Sequence, residues 1–195
     1  MAVGARLQFR CRPGALAAAQ PVAYALVPEQ SFVTFEVLHF GTSTIRGRFG
    51  PPLQGEVLLD RRAGTGEVSL RVATADVNPG VGVFNARLRQ ADLLSTEAFP
   101  EAYFVARNVR YAGNAVAEVR GEFTWRGVSQ PLSLRALRAL RFACRTDRQA
   151  SAPDEICGGD FEGELLRSNF RATFGLPLVA DRVRLVVQVE GRRRR

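Results

Sequence analysis

The chain has 195 residues, 46% hydrophobic and 24% charged, enough to bury one sizeable core. That composition excludes collagen-like, coiled-coil and disordered classes, and no run approaches the ~18 to 20 uninterrupted apolar residues of a membrane-spanning helix. The balance of 27 basic against 19 acidic residues gives +8; every basic residue is Arg, which suits planar contact with carboxylate or phosphate, with genomic compositional bias as the plainer account.

The first twenty residues read as an N-terminal extension or a degraded signal peptide. Arg6, Arg10 and Arg12 precede Ala15-Leu16-Ala17-Ala18-Ala19-Gln20, whose small residues fit a secretory cleavage pattern, although Pro13 and Gly14 interrupt the apolar stretch. Cys11 belongs to this segment.

From residue 22 onward, β-branched and aromatic runs alternate with Gly, Pro, Asn and Asp. Strands are predicted at Val22 to Val27, Ser31 to Phe40, Thr44 to Phe49, Leu53 to Asp60 and Gly66 to Thr74. A helix follows from Val81 to Leu94, where Val83, Phe84, Arg87, Leu88, Ala91 and Leu94 recur at threes and fours after a cap at Asn78 and Pro79 in the first turn. Further strands are predicted at Ala102 to Tyr111, Ala115 to Arg126, Leu132 to Phe142, Asp160 to Asn169 and Arg182 to Glu190. One short helix among so many strands predicts an all-β fold, an antiparallel barrel of about eight strands with a helical insertion. The domain spans residues 21 to 191, without internal repeat, and is followed by the run Arg192 to Arg195, read as a solvated tail. The other arginines are scattered rather than clustered with aromatics, so no nucleic-acid partner is expected.

Two strands show period-2 alternation. Val33, Phe35, Val37 and His39 share one face of the second strand; Ala117, Val119, Gly121, Phe123 and Trp125 share one face of another, opposite Val116, Glu118 and Arg120. The apolar faces must point inward, and an eight-stranded barrel is either filled by its own side chains or holds one small apolar ligand. Thirteen Phe, against three Tyr and one Trp, supply apolar surface without polar tips. His39 is the single histidine and ends an inward row; no G-x-S-x-G elbow, metal-ligand set or phosphate-cradling loop accompanies it, so neither catalysis nor a cofactor or metal is expected. Cys144 and Cys157 lie 13 positions apart around a polar segment, Arg145 to Ile156, that reads as a surface loop. A structural disulfide is the preferred reading and implies an oxidising compartment; two unpaired buried thiols are the alternative.

Five motifs in order then resemble the YceI-like family. Tyr24-Ala25-Leu26, Ser31 to Gly41, Arg46-Gly47-Arg48-Phe49 and Gly55-Glu56-Val57 are similar to its opening, with Gln30 where a His is common. Asn85-Ala86-Arg87-Leu88, Leu93-Leu94 and Ala98-Phe99-Pro100 resemble its helical insertion, and Gly121 to Leu132 its G-x-L-T-x-x-G-V-T-x-P segment. Cys144 and Cys157 to Asp160 resemble the paired cysteines of some members. Arg167-Ser168-Asn169-Phe170 stands where R-S-D-F-G is usual, so Asn169 and Arg171 are departures.

The resemblance implies an extended lipocalin-like barrel, periplasmic or secreted in bacteria, that binds a polyisoprenoid or related long-chain amphiphile without chemistry. On that basis Val33, Phe35, Val37, His39, Phe49, Phe84, Leu88, Phe99, Phe123 and Trp125 are expected to line an apolar cavity, with Arg87, Arg167 or His39 receiving a polar head. The expected partner is a long-chain isoprenoid or acyl lipid, with transient membrane contact and a homodimer both admissible. A filled barrel serving as an interaction module and an electrostatic binder of anionic polymers are the rival readings.

Overall fold

The computed structural model describes residues 20–137, 142–147 and 154–194. Its strands are β1 (Val22–Leu26), β2 (Phe32–His39), β3 (Ser43–Phe49), β4 (Gln54–Asp60), β5 (Thr65–Ala73), β6 (Val77–Asn78), β7 (Glu101–Ala112), β8 (Ala115–Trp125), β9 (Val128–Ala136), β10 (Ala143–Asp147), β11 (Asp154–Leu166) and β12 (Val179–Arg193), with one α-helix, α1 (Gly82–Leu88), between β6 and β7. All pairings are antiparallel. Eight of the strands close a ring in the order β1, β4, β5, β7, β8, β9, β11, β12 and back to β1. The expected barrel with one helical insertion is thus the observed fold.

The long strand β12 explains the asymmetry of this barrel. One of its edges pairs with β11 from Leu166↔Arg182 to Ile156↔Arg192. Its other edge is shared: β2 takes Val183 to Gln188, and β1 takes Gly191 to Arg193. The chain steps between those two registers at buried Ser31, whose Oγ donates to the Glu190 carbonyl (3.2 Å) and accepts from the Glu190 amide (3.1 Å). At this fork β1 continues the ring to β4, while β2, β3 and β6 extend the wall, with α1 following β6. The barrel is therefore narrower and more nearly filled at the β1 end and wider at the β2 end.

Several sequence expectations are corrected. The helix stops at Leu88 rather than Leu94, because the chain folds back on itself: the Leu94 amide donates to the Leu88 carbonyl (2.9 Å) and the Ser95 amide to the Gln90 carbonyl (2.8 Å). Asn78 ends β6 and accepts from the Gly80 amide, so it does not cap the helix. Much of the expected loop Arg145 to Ile156 is strand, with Cys144↔Cys157 and Asp147↔Asp154 in register. The expected Arg tail is solvent-exposed but does not fray over the described residues: β12 runs through Arg193, and the Arg194 amide donates to the Ala23 carbonyl (2.8 Å) while its side chain pairs with Glu56 (2.7 Å). The expected N-terminal extension lies outside the described residues, apart from Gln20.

A further correction concerns the phase of β8. Val119 and Trp125 are buried as expected, but Ala117 has no partner opposite it, the pairs on either side being Arg110↔Glu118 and Tyr111↔Val116. This bulge turns Val116 inward, where it is buried. Glu118, on the face opposite Val119, is only 1% exposed because it is covered by Arg110 (3.2 Å), Arg120 (2.9 Å) and Arg135 (3.1 Å). Those guanidiniums hold the Glu118 carboxyl down at about 2, against the ordinary 4.5.

Candidate functional site

The wide end of the barrel encloses a cavity of about 370 Å³. Strand β2 contributes Val33, Phe35, Val37 and His39, the single row that its alternation places on one face. Phe49 of β3, Phe123 and Trp125 of β8, Phe84, Arg87 and Leu88 of α1, and Arg167 after β11 complete the expected set. Phe99 does not join them. Its ring packs on the β8–β9 turn, with Cε1 3.3 Å from where a Cβ on Gly127 would stand, and its carbonyl accepts from Thr74 Oγ1.

Local sequence choices shape the wall. Phe35 pairs across the sheet with Gly47, and a Cβ there would stand 2.4 Å from its Cζ, so the missing side chain makes room for the ring. Phe35 and Phe49 then meet with centroids 5.4 Å apart. Phe170, 1% exposed, supports Phe123 and Trp125 from behind, at 5.5 Å from each. Sequence reasoning missed Phe104, Leu132 and Leu134 from β7 and β9, Phe174 from the β11–β12 connection, and Val183, Leu185 and Val187 from β12. The last three were legible as an alternating row. Phe104, Leu70, Leu134 and Val187 also border a second, 60 Å³ void toward the narrow end, so these side chains partition the barrel interior.

Charged side chains at the mouth are committed to the protein. Arg167, 6% exposed, gives Nε to the Ala180 carbonyl (2.9 Å), Nη1 to those of Ala172 (2.7 Å) and Phe174 (2.8 Å), and Nη2 to that of Val179 (2.7 Å). Burial lowers its pKa, opposed by nearby Asp181. Arg167 therefore fastens the 171–180 segment, and the expectation that it stands free to receive a polar head needs correction. Arg87 makes a two-point contact with Asp92 (2.7 and 2.6 Å) and lies 4.0 Å over the Phe174 ring. His39 packs edge-on to Phe40 at 4.3 Å, and its ring nitrogens make no hydrogen bond to another described residue. The cavity wall includes no Asp, Glu, Ser or Cys among the described residues, and its one threonine, Thr74, is taken by Phe99.

The narrow end is latched by polar groups. Cys144 and Cys157 form a disulfide (S–S 2.07 Å) between β10 and β11. Beside it, Arg61 Nη2 donates to Tyr24 Oη (3.0 Å) and Glu155 Oε1 (3.0 Å), while Tyr24 donates to Glu155 Oε2 (3.0 Å). Burial, and then the bond to Glu155, push the Tyr24 hydroxyl up to about 12.

A family model described as a YceI-like domain matches residues 24–191, which include the cavity wall and all of the ring but the ends of β1 and β12. The chain belongs to the YceI-like family. Protein YceI of Escherichia coli O157:H7 is 26% identical over 166 residues, covering 84% of this chain and 82% of the relative. A UPF0312 protein of Shewanella sp. (strain ANA-3) is 34% identical over 105 residues, 53% of this chain; the match spans 54% of that relative, about half its length. Among solved structures, a polyisoprenoid binding domain from Saccharophagus degradans superimposes with a TM-score of 0.58 at 17% identity, covering 89% of this YceI-like chain and 99% of that one. At that identity the likeness speaks for the fold.

Proposed function

We propose that this YceI-like barrel holds the tail of a long-chain amphipathic lipid, isoprenoid or acyl, and carries it through water unchanged. The observation that carries the reading is the 370 Å³ cavity walled by aromatic and branched aliphatic side chains, within the ~300 to 1,000 Å³ range of ligand sites. The Saccharophagus domain, named for polyisoprenoid binding, supports the same ligand class. A wall without a carboxylate, serine or cysteine offers no nucleophile with an adjacent base, which favours binding over catalysis. The polar head stays at the mouth beside His39, whose ring nitrogens make no hydrogen bond to another described residue; deeper in the wall the Trp125 Nε1 is also unpartnered. A disulfide at the narrow end suits the oxidising periplasm or exterior.

Each methylene removed from water contributes ~0.8 kcal/mol, while association costs ~4 to 15 kcal/mol. Short chains therefore bind weakly and affinity depends on length. Trp125, the single tryptophan, stands in the wall and reports occupancy by fluorescence. Titration with straight-chain fatty acids and prenyl alcohols should show affinity climbing with length until the cavity is full. A flat response from folded protein would overturn the proposal.

A further inference from the structure

Around the cavity mouth, three segments project apolar side chains into solvent. The end of β2 carries Leu38 and the turn after it Phe40, α1 carries Val83 and Phe84, and the 171–178 connection carries Phe174 and Leu178; Val83 is 76% exposed, Leu178 58%, Phe40 55% and Phe174 51%. These belong to one rim. The Phe40 amide donates to the Leu178 carbonyl (2.7 Å), His39 pairs with Val179, and Arg87 of α1 covers the Phe174 ring. Isolated exposed apolar residues are ordinary, but a contiguous set around the mouth of an apolar cavity marks an interaction surface.

Charge indicates what the surface meets. The stretches 37–45, 77–91 and 165–180, which build the rim, contain no Asp or Glu, although the chain has 19 acidic residues, and Asp92, just beyond the second, is paired with Arg87. They do contain Arg89 and Arg171, neither of which makes an ion pair with a carboxylate of the described residues. Arg171 adopts a left-handed φ of 62°, where a side chain is disfavoured. That φ is the C-cap of the 167–170 turn, where the Arg171 amide meets the Arg167 and Ser168 carbonyls.

We infer that the rim docks onto the headgroup region of an anionic phospholipid bilayer, so that the cavity opens onto the leaflet and its lipid enters or leaves without crossing water. Val83, Phe84 and Phe40 sink to the acyl boundary, as the apolar face of an interfacial element does. Arg89 and Arg171 stay at the phosphates, attracted by the surface potential. This deepens the proposed lipid-carrier reading by naming the surface where loading occurs.

The test is flotation of the full chain with vesicles of phosphatidylcholine alone and of equimolar phosphatidylcholine and phosphatidylglycerol. The protein should float with the anionic vesicles and much less with the neutral ones, and binding should weaken with added salt. Val83→Asp should lower binding by about tenfold or more, since it replaces buried apolar area with a charge. Arg171→Ala should lower binding to anionic vesicles about fivefold. Val105→Asp, on the exposed outer face of β7, should leave it unchanged. The inference is overturned if the wild type does not float with anionic vesicles, if Val105→Asp is as damaging as Val83→Asp, or if sedimentation shows the rim consumed in a dimer that Val83→Asp dissolves. Fatty-acid titration by Trp125 fluorescence separates the two readings. Soluble ligand bound without vesicle binding removes docking alone, and vesicle binding without ligand removes the carrier.

Discussion

Replacing Phe104 by Ala tests the partition of the barrel interior. This residue is 5% exposed and borders both the 370 Å³ cavity and the 60 Å³ void. Loss of the ring leaves about 100 Å³ of new space, which at ~24 cal/mol per Å³ costs ~2.4 kcal/mol, and the lost transfer term brings the total to ~3 to 5 kcal/mol. The new space joins the two chambers, so an intruding chain gains room for two or three more methylenes. At ~0.8 kcal/mol each these contribute ~1.6 to 2.4 kcal/mol, or ~15- to 60-fold in affinity for the longer ligands alone. The assay is a chain-length series of fatty acids followed by Trp125 fluorescence, beside urea unfolding with and without ligand. The wild-type optimum should move to longer chains in Phe104→Ala, and long chains should restore part of the lost stability. Superimposable chain-length profiles from two folded proteins would show that the ligand never reaches Phe104.

Glu118→Gln removes a carboxylate that is 1% exposed and held by three guanidiniums. Because the folded pKa is about 2 against an ordinary 4.5, the stabilisation it supplies is complete above pH 4.5 and is lost as the pH falls toward 2. The variant should lose about 1 to 2 kcal/mol at neutral pH, discounted for the solvent-exposed arginines, and its stability should vary less over that acid range; an unchanged acid limb in chemical unfolding would count against the depressed pKa. Arg167→Met keeps the length of the side chain but releases four carbonyls at the cavity mouth. It should cost about 3 kcal/mol or more and speed amide exchange across 171–180, whereas retained protection there would show that the segment is held by other contacts.

Much of the fold was legible because it depends on short-range patterning. Period-2 alternation in residues 31 to 40 selected Val33, Phe35, Val37 and His39, and all four line the cavity. The same rule held from Val119 to Trp125 but failed before Val119, because a one-residue bulge at Ala117 turns Val116 inward and no local composition marks it. Long-range partners were equally hidden. Nothing near Glu118 announces that Arg110, Arg120 and Arg135 will converge on it, and nothing near Arg167 announces the carbonyls of a segment up to 13 residues away. Phe99 was grouped with the cavity on the family resemblance, at the end of an insertion expected to be helical to Leu94. The helix ends a turn and a half earlier, and the ring turns onto Gly127 instead.

The polar and apolar features of this YceI-like barrel are divided between its ends, and that division follows from the fork at Ser31. Where β1 closes the ring onto β12, only a 60 Å³ void is left in the interior. There the disulfide, Arg61, Tyr24 and Glu155 tie together segments more than 80 residues apart. Where β2 takes over that edge, the wall widens and a cavity remains that the chain's own side chains do not fill. Empty apolar space is destabilising, since its lining atoms lack dispersion partners on one side. A barrel that keeps such a space at one end needs compensating contacts elsewhere, and the cross-links of the narrow end supply them. The cavity and the cross-links thus occupy opposite ends of one closed sheet, so the mouth can present Phe40, Val83 and Phe174 to its surroundings while the ring stays shut.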